Sequence, residues 1–87
     1  MTIPKHIFVA DNSVLEVFIG RSRREQEEML RIFRLLAESP YQTGDWRQKA
    51  RSGRELQVKR FSKWLVTFWL DAPVLELRIV DVKKIVP

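Results

Sequence analysis

The sequence predicts an α+β domain of order β-α-α-β-β-β, a helical hairpin packed on one face of a small antiparallel sheet. Three observations carry that prediction. Residues 53–82 (GRELQVKRFSKWLVTFWLDAPVLELRIVDV) read as three strands joined by two short turns. Residues 22–38 place apolar side chains at helical spacing. HIFVA, His6 to Ala10, is a short β-branched and aromatic run that can add to a sheet edge. A length of 87 residues suits one compact domain, residues 1–87.

Taken in order, Pro4 is compatible with the start or edge of the first strand. The chain turns at Asp11-Asn12-Ser13, and Ser13 to Glu16 fits a capping box. Val14, Leu15, Phe18 and Ile19 then supply an apolar face for a short helix ending at Gly20, with a continued strand as the alternative. Ser22 to Glu25 is a second capping box. Behind it Met29, Ile32, Phe33, Leu36 and Ala37 recur at i, i+3, i+4, i+7 and i+8, the period of one buried helix face. Glu27 and Arg31 are placed as an i,i+4 ion pair, and Ser39-Pro40 stops the helix.

Tyr41 to Ser52 has no sustained period and contains the turn signal Gly44-Asp45, so it reads as a loop with Trp46 as its half-buried anchor. Next come a strand from Gly53, a tight hairpin at Ser62-Lys63, and a central strand from Trp64 to Leu70 that is apolar on both faces. Asp71-Ala72-Pro73 turns the chain into a last strand, Val74 to Val82. There Leu75, Leu77 and Ile79 alternate with Glu76 and Arg78.

Composition narrows the function. There is no cysteine and only one histidine, His6, so a disulfide framework, a thiolate or multi-His metal site and a Cys nucleophile are excluded, and no cofactor is expected. No apolar run reaches membrane-spanning length and the N-terminus does not read as a signal peptide, so a cytoplasmic location with no membrane partner is expected. The net charge of +5 is carried by the second half of the chain. Arg47, Lys49, Arg51, Arg54, Lys59, Arg60 and Lys63 crowd around one turn and are opposed there only by Glu55. That cluster suits an anionic partner, either nucleic acid or an acidic protein segment.

No Gly-rich phosphate loop and no Ser/His/Asp set is present. Basic residues with Trp and Tyr about a sheet face can hold a phosphate backbone and stack bases. RNA cleavage needs a cation for the phosphorane charge, for which Arg78, Lys83 and Lys84 are the candidates, and a base for the 2′-OH. The sequence offers no obvious base, since His6 is at the wrong end of the chain and no His or Tyr follows Tyr41. Only Glu76 or a lysine of lowered pKa is left, and no pattern singles either out. Taken singly, each has a plainer reading: Arg78 with Glu76 on one strand face as ion-pair partners of Glu55 or Lys59 across the sheet, Trp69 as packing, Lys83-Lys84 as a solubilising end.

These residues resemble the RelE/ParE superfamily of bacterial toxins. The match lies in LRIFRLLAESP (Leu30 to Pro40), the loop containing Gly44, GRELQVKRFSKWLVTFWL and VLELRIV. The ending VDVKKIVP is similar to the HigB-like branch. The resemblance implies the toxin of a type II toxin–antitoxin system, held by a cognate antitoxin. RelE-like and HigB-like members cut mRNA on the ribosome and ParE-like members inhibit DNA gyrase, so ribosome-bound mRNA is the first expected target and gyrase the alternative. A protein- or RNA-binding module without chemistry is the reading from a different class. The positions that match the family's basic catalytic residues are Lys59, Arg60, Arg78, Lys83 and Lys84, and the C-terminal Tyr or His of the RelE pattern is absent. An exposed sheet edge leaves a homodimer open as a further association.

Overall fold

The computed structural model describes residues 7–86. Strand β1 (Ile7–Ala10) leads into helices α1 (Asn12–Ile19) and α2 (Arg23–Glu38). Strands β2 (Trp46–Lys49), β3 (Glu55–Phe61), β4 (Trp64–Asp71) and β5 (Glu76–Lys84) follow, with a 3-10 turn at Ala72–Val74. The five strands form one sheet in the order β1-β5-β4-β3-β2. Every pairing is antiparallel except β1 with β5, which is parallel. The predicted class therefore holds, with two corrections: the sheet is mixed, and it has a fifth strand. The whole helical and meander segment separates β1 from β5, and a connection that long lets the two lie parallel.

α2 forms as its spacing dictates. The Ser22 side chain accepts from the Glu25 backbone N–H at 3.2 Å, which satisfies one orphan donor of the first turn and is worth about 1 kcal/mol. Met29, Ile32, Phe33, Leu36 and Ala37 are all buried. All but Ala37 meet Trp64, Val66 and Phe68 of β4 and Leu77, Ile79 and Val82 of β5 in one core, with Phe8 and Phe33 rings 5.6 Å apart at its edge. Burial of each large side chain is worth about 1.5–3 kcal/mol. The helix stops at Glu38, just before Ser39-Pro40.

Elsewhere the expectations need correction. The first strand begins at Ile7, and His6 and Pro4 lie outside the described residues. α1 is a helix, but Ser13 does not cap it. Asp11 is the N-cap, without a side-chain bond, and the Ser13 hydroxyl instead donates to the Val80 carbonyl of β5 at 3.3 Å. Val14 turns inward while Leu15 and Ile19 face outward, because β5 lies on one side of so short a helix. Glu27 pairs back to Arg23 at 3.6 Å and not forward to Arg31.

β2 occupies part of the expected loop. All four of its residues are exposed, so no alternation marks it; backbone pairing to β3 alone defines it. Trp46, expected as a loop anchor, is a strand residue still 48% exposed, opposite the buried Val58. The hairpin at Ser62-Lys63 is present, with Ser62 in the left-handed region at φ 55°. Leu75 also has positive φ, 56°, and is exposed, so β5 starts at Glu76, two residues after the expected Val74, and Leu75 does not share its buried face. A bulge between Thr67 and Phe68 of β4 leaves Val80 unmatched, which explains why buried positions on β5 step from Ile79 to Val82.

Candidate functional site

Register and alternation divide the basic residues between the two sheet faces. Gln57, Lys59 and Phe61 share the helix side with their partners Phe68, Val66 and Trp64. Arg47 and Lys49 lie on that side as the partners of Gln57 and Glu55, and Lys84 as the partner of Trp64. Arg60 faces the opposite way with Leu65, as do Arg78 with Trp69 and Lys83 with Leu65. Arg54 joins this second group, its guanidinium 3.7 Å above the Trp69 ring. Arg51 is exposed in the β2–β3 turn. The single basic face suggested by the sequence is thus two faces, because neighbouring residues of a strand point apart.

On the open face, Trp69 is flanked by two guanidiniums, Arg54 at 3.7 Å and Arg78 at 6.0 Å. Glu76 lies 3.8 Å from Arg78 on the same strand face. A cation, a carboxylate and an aromatic surface therefore stand together. Lys83 is further along this face, exposed and 3.9 Å from Asp81. Lys84, its neighbour in sequence, is on the other side of the sheet.

There Lys84 belongs to a clamp. Glu25 Oε2 sits 3.0 Å from Lys84 Nζ and 3.2 Å from Lys63 Nζ, and Lys63 also lies 3.4 Å from Glu28. Glu25 Oε2 is enclosed and receives no well-aligned hydrogen bond, so these contacts act as ion pairs without directed geometry. Glu28 accepts from the Trp64 indole N–H at 3.1 Å. The clamp ties the first turns of α2 to the β3–β4 hairpin and to the end of β5. Lys84, ahead of Lys63, holds the Glu25 carboxyl below its ordinary range against the opposing effect of burial. The Trp64 indole does the same for Glu28, and Glu25 raises Lys63.

The sign follows from linkage. Both carboxylates contribute stability above their unfolded value of 4.5, and this is lost as pH falls through the lower folded values. Lys63 contributes below 10.5 and loses its contribution as pH climbs through its raised value. Thermal unfolding followed from pH 7 into the acid range is expected to show a steeper loss for the parent than for Glu25→Gln. Equal slopes would remove the clamp from the account.

A second feature was not legible in the sequence. Pairing between β3 and β4 runs from Gln57–Phe68 to Phe61–Trp64, whereas β3 starts at Glu55 and β4 continues to Asp71. Where the ladder stops, a groove of about 690 Å³ opens. Its floor is Phe68 to Leu70, one wall is residues 40–43 and the other is the turn at 52–54. The first wall continues as a strap bonded along β3: Lys59 Nζ donates to the Gln42 side chain at 2.9 Å, Gly44 N–H to Gln57 Oε1 at 2.8 Å, and Asp45 N–H to the Val58 carbonyl at 2.8 Å. Asp45 Oδ2 in turn accepts from the Arg60 backbone N–H at 2.8 Å.

Gly44 is required for this approach. A methyl there would lie 2.5 Å from the Val58 carbonyl oxygen and 2.7 Å from its nitrogen, both backbone atoms that cannot swing aside. Gly44→Ala is expected to cost about 1–3 kcal/mol in chemical denaturation, as overpacking does elsewhere. An unchanged midpoint would mean that the strap is loosely held. Gly44-Asp45 carried a sequence signal, but only for a turn.

Comparison with known proteins adds a fold. No protein-family model matches the chain, and no curated protein matches it in sequence. Solved structures do match in shape. The RelBE2 toxin–antitoxin complex from Mycobacterium tuberculosis contains a chain superposing with a TM-score of 0.73 at 10% identity, covering 93% of this chain and 99% of that one. The archaeal RelE–RelB complex from Pyrococcus horikoshii OT3 gives 0.70 at 11% identity, covering 93% and 96%. The isolated RelE toxin of E. coli gives 0.69 at 13% identity, covering 94% and 86%. Two helices on a five-stranded, mostly antiparallel sheet are in common, and the chain has the fold of the RelE toxins.

Proposed function

We propose that this chain is the toxin of a type II toxin–antitoxin system and that it cuts ribosome-bound mRNA in the cytoplasm, restrained by a cognate antitoxin. The observation that carries the reading is the Arg78–Glu76 pair beside Trp69 on the open face. Two of the solved structures with this fold are complexes of a toxin with its antitoxin, which supports such a partner here.

The chemistry assigns each group a task. Glu76 removes the proton from a ribose 2′-OH, and the 2′-oxygen attacks the adjacent phosphorus. The P–O5′ bond breaks and the 5′-oxygen takes up a proton from solvent, leaving a 2′,3′-cyclic phosphate and a 5′-OH end. Arg78 stabilises the charge that develops on the phosphorane oxygens, and Trp69 supports a neighbouring base. Lys83 lies on the same face and contributes to phosphate binding. Lys84 is assigned to the clamp with Glu25, and Lys63 with it.

The test adds purified chain to a reconstituted translation reaction, with a gyrase supercoiling reaction alongside. Cut mRNA in the first with intact supercoiling in the second is the expected result. Inhibited supercoiling with intact mRNA would replace this reading by the gyrase one, and no effect in either would leave a binding module.

A further inference from the structure

We propose that the free edge of β1 pairs with β1 of a second copy of this chain. The contact is antiparallel, two-fold and centred on Val9, so that the two sheets become one.

β1 ends the sheet on one side, and no described strand lies beyond it. Ile7 N–H donates to the Leu75 carbonyl at 3.2 Å and Asp11 N–H to the Ile79 carbonyl at 3.0 Å, so the odd-numbered residues bond to β5. Alternate residues of a strand turn their backbone groups to opposite sides. The N–H and C=O groups of Phe8 and Ala10 therefore face outward. Ile7 is 58% exposed and Phe8 to Ala10 are half-buried, as an edge strand with nothing along it should be.

The two edges of the sheet differ in what they admit. β2 carries Arg47 and Lys49. Residues opposite one another in an antiparallel pair share a face, so two-fold pairing centred on Arg47 or Gln48 sets Arg47 against Arg47 or Lys49 of the copy. Such like-charge contacts guard an edge against its own kind. Ile7–Ala10 has no charge and no proline, so a copy of itself meets no such barrier. With the dyad at Val9, Phe8 faces Ala10 of the second copy and Ala10 faces its Phe8. A large side chain then meets a small one twice, and every outward backbone group of these two residues is bonded. Val9 faces Val9 on the other side of the sheet, a β-branched cross-strand pair.

The flank of α2 above this edge agrees in charge. The Phe33 ring meets Phe8, whereas Glu28, on the far flank, reaches Trp64. The β1 side of the helix therefore carries Leu30, with Glu27 before it and Arg34 after it. Arg34 has no ion pair among the described residues, and Glu27 has only the exposed Arg23 at 3.6 Å. Reversed in a second copy, the flank presents Arg34 where the first presents Glu27, so opposite charges face each other. Val9 is also the β5 partner of Arg78. The Arg78–Glu76 pairs of the two copies thus share one continuous open face, three strand spacings or about 14 Å apart. The contact itself does not depend on the chain's activity.

The chain has no cysteine, so one introduced thiol can link only to its copy. Val9→Cys is expected to form a disulfide-linked dimer on mild oxidation of the full chain. Cα atoms of a non-hydrogen-bonded antiparallel pair stand about 4.5 Å apart, within disulfide reach. Gln48→Cys, on the β2 edge, is expected to stay a single chain. In sedimentation equilibrium the parent mass is expected to rise toward that of two chains with concentration. Val9→Lys alone and Val9→Glu alone are each expected to weaken the dimer at least about 100-fold, and an equal mixture of the two to restore it. Restoration shows that both variants fold. A parent with the mass of one chain at every concentration would overturn the proposal. A dimer indifferent to Val9→Lys, or one linked through Gln48→Cys and not through Val9→Cys, would overturn it as well.

Discussion

Arg78→Ala is expected to lower cleavage of translated mRNA by about 10²–10³-fold, the loss typical when one group that stabilises transition-state charge is removed. Arg78 is placed for this by β5. Its strand partner is Trp69, and Glu76 stands two residues away on the same face. The guanidinium is partly exposed, so the substitution leaves the core alone and is expected to shift stability by less than about 0.5 kcal/mol. Arg78→Lys keeps the charge but loses the planar fork, and an intermediate rate is expected. Initial cleavage rates in a reconstituted translation reaction measure both variants. A parent-like rate for Arg78→Ala, with equal binding of message, would remove Arg78 from the chemistry.

Trp64→Ala is expected to destabilise the fold by about 3–5 kcal/mol, which is a large share of the ~5–15 kcal/mol that holds a domain of this size. Trp64 is 1% exposed and packs in the core under α2. Its indole also supplies the hydrogen bond that keeps the Glu28 carboxylate paired, and Arg21 and Lys63 lie 5.8 and 5.9 Å from its ring. Truncation leaves a large cavity and takes the indole donor from Glu28, which keeps only its ion pairs with Lys63 and Arg24. Trp64→Phe keeps most of the apolar contact and loses the N–H, so about 1–3 kcal/mol is expected. In thermal unfolding the alanine variant should melt about 15 °C or more below the parent. A shift of only a few degrees for it would show that the core relaxes around the gap.

Much of this fold was legible because burial imposes periods. Met29, Ile32, Phe33, Leu36 and Ala37 could be assigned to one helix face from spacing alone, and all are buried. The two-sided apolar pattern of β4 marked the centre of the sheet, and β4 lies third of five. What escaped notice has no period. β2 is an edge strand with every side chain in solvent, so backbone bonding defines it and leaves no trace in residue type. The parallel placement of β1 depends on where two helices set the chain down, not on the composition of Ile7–Ala10.

The site was less legible for a related reason. A dense run of Arg and Lys looks like one patch, but strand alternation sends Lys59 to one face and Arg60 to the other. Lys83 and Lys84 are parted in the same way, and only contact with α2 reveals that Lys84 answers Glu25. Arg78 beside Glu76 could be read from the strand itself. The Arg54–Trp69 stack and the Gly44–Gln57 lock join residues more than ten positions apart and needed the fold.

The most direct measurement is the mapping of mRNA 5′ ends after this chain is induced, on a message with its start codon and on the same message without it. New ends confined to the translated message, and lost when Arg78→Ala is induced instead, are the predicted result. Arrested growth without new ends, or equal ends on both messages, would contradict a ribosome-dependent nuclease.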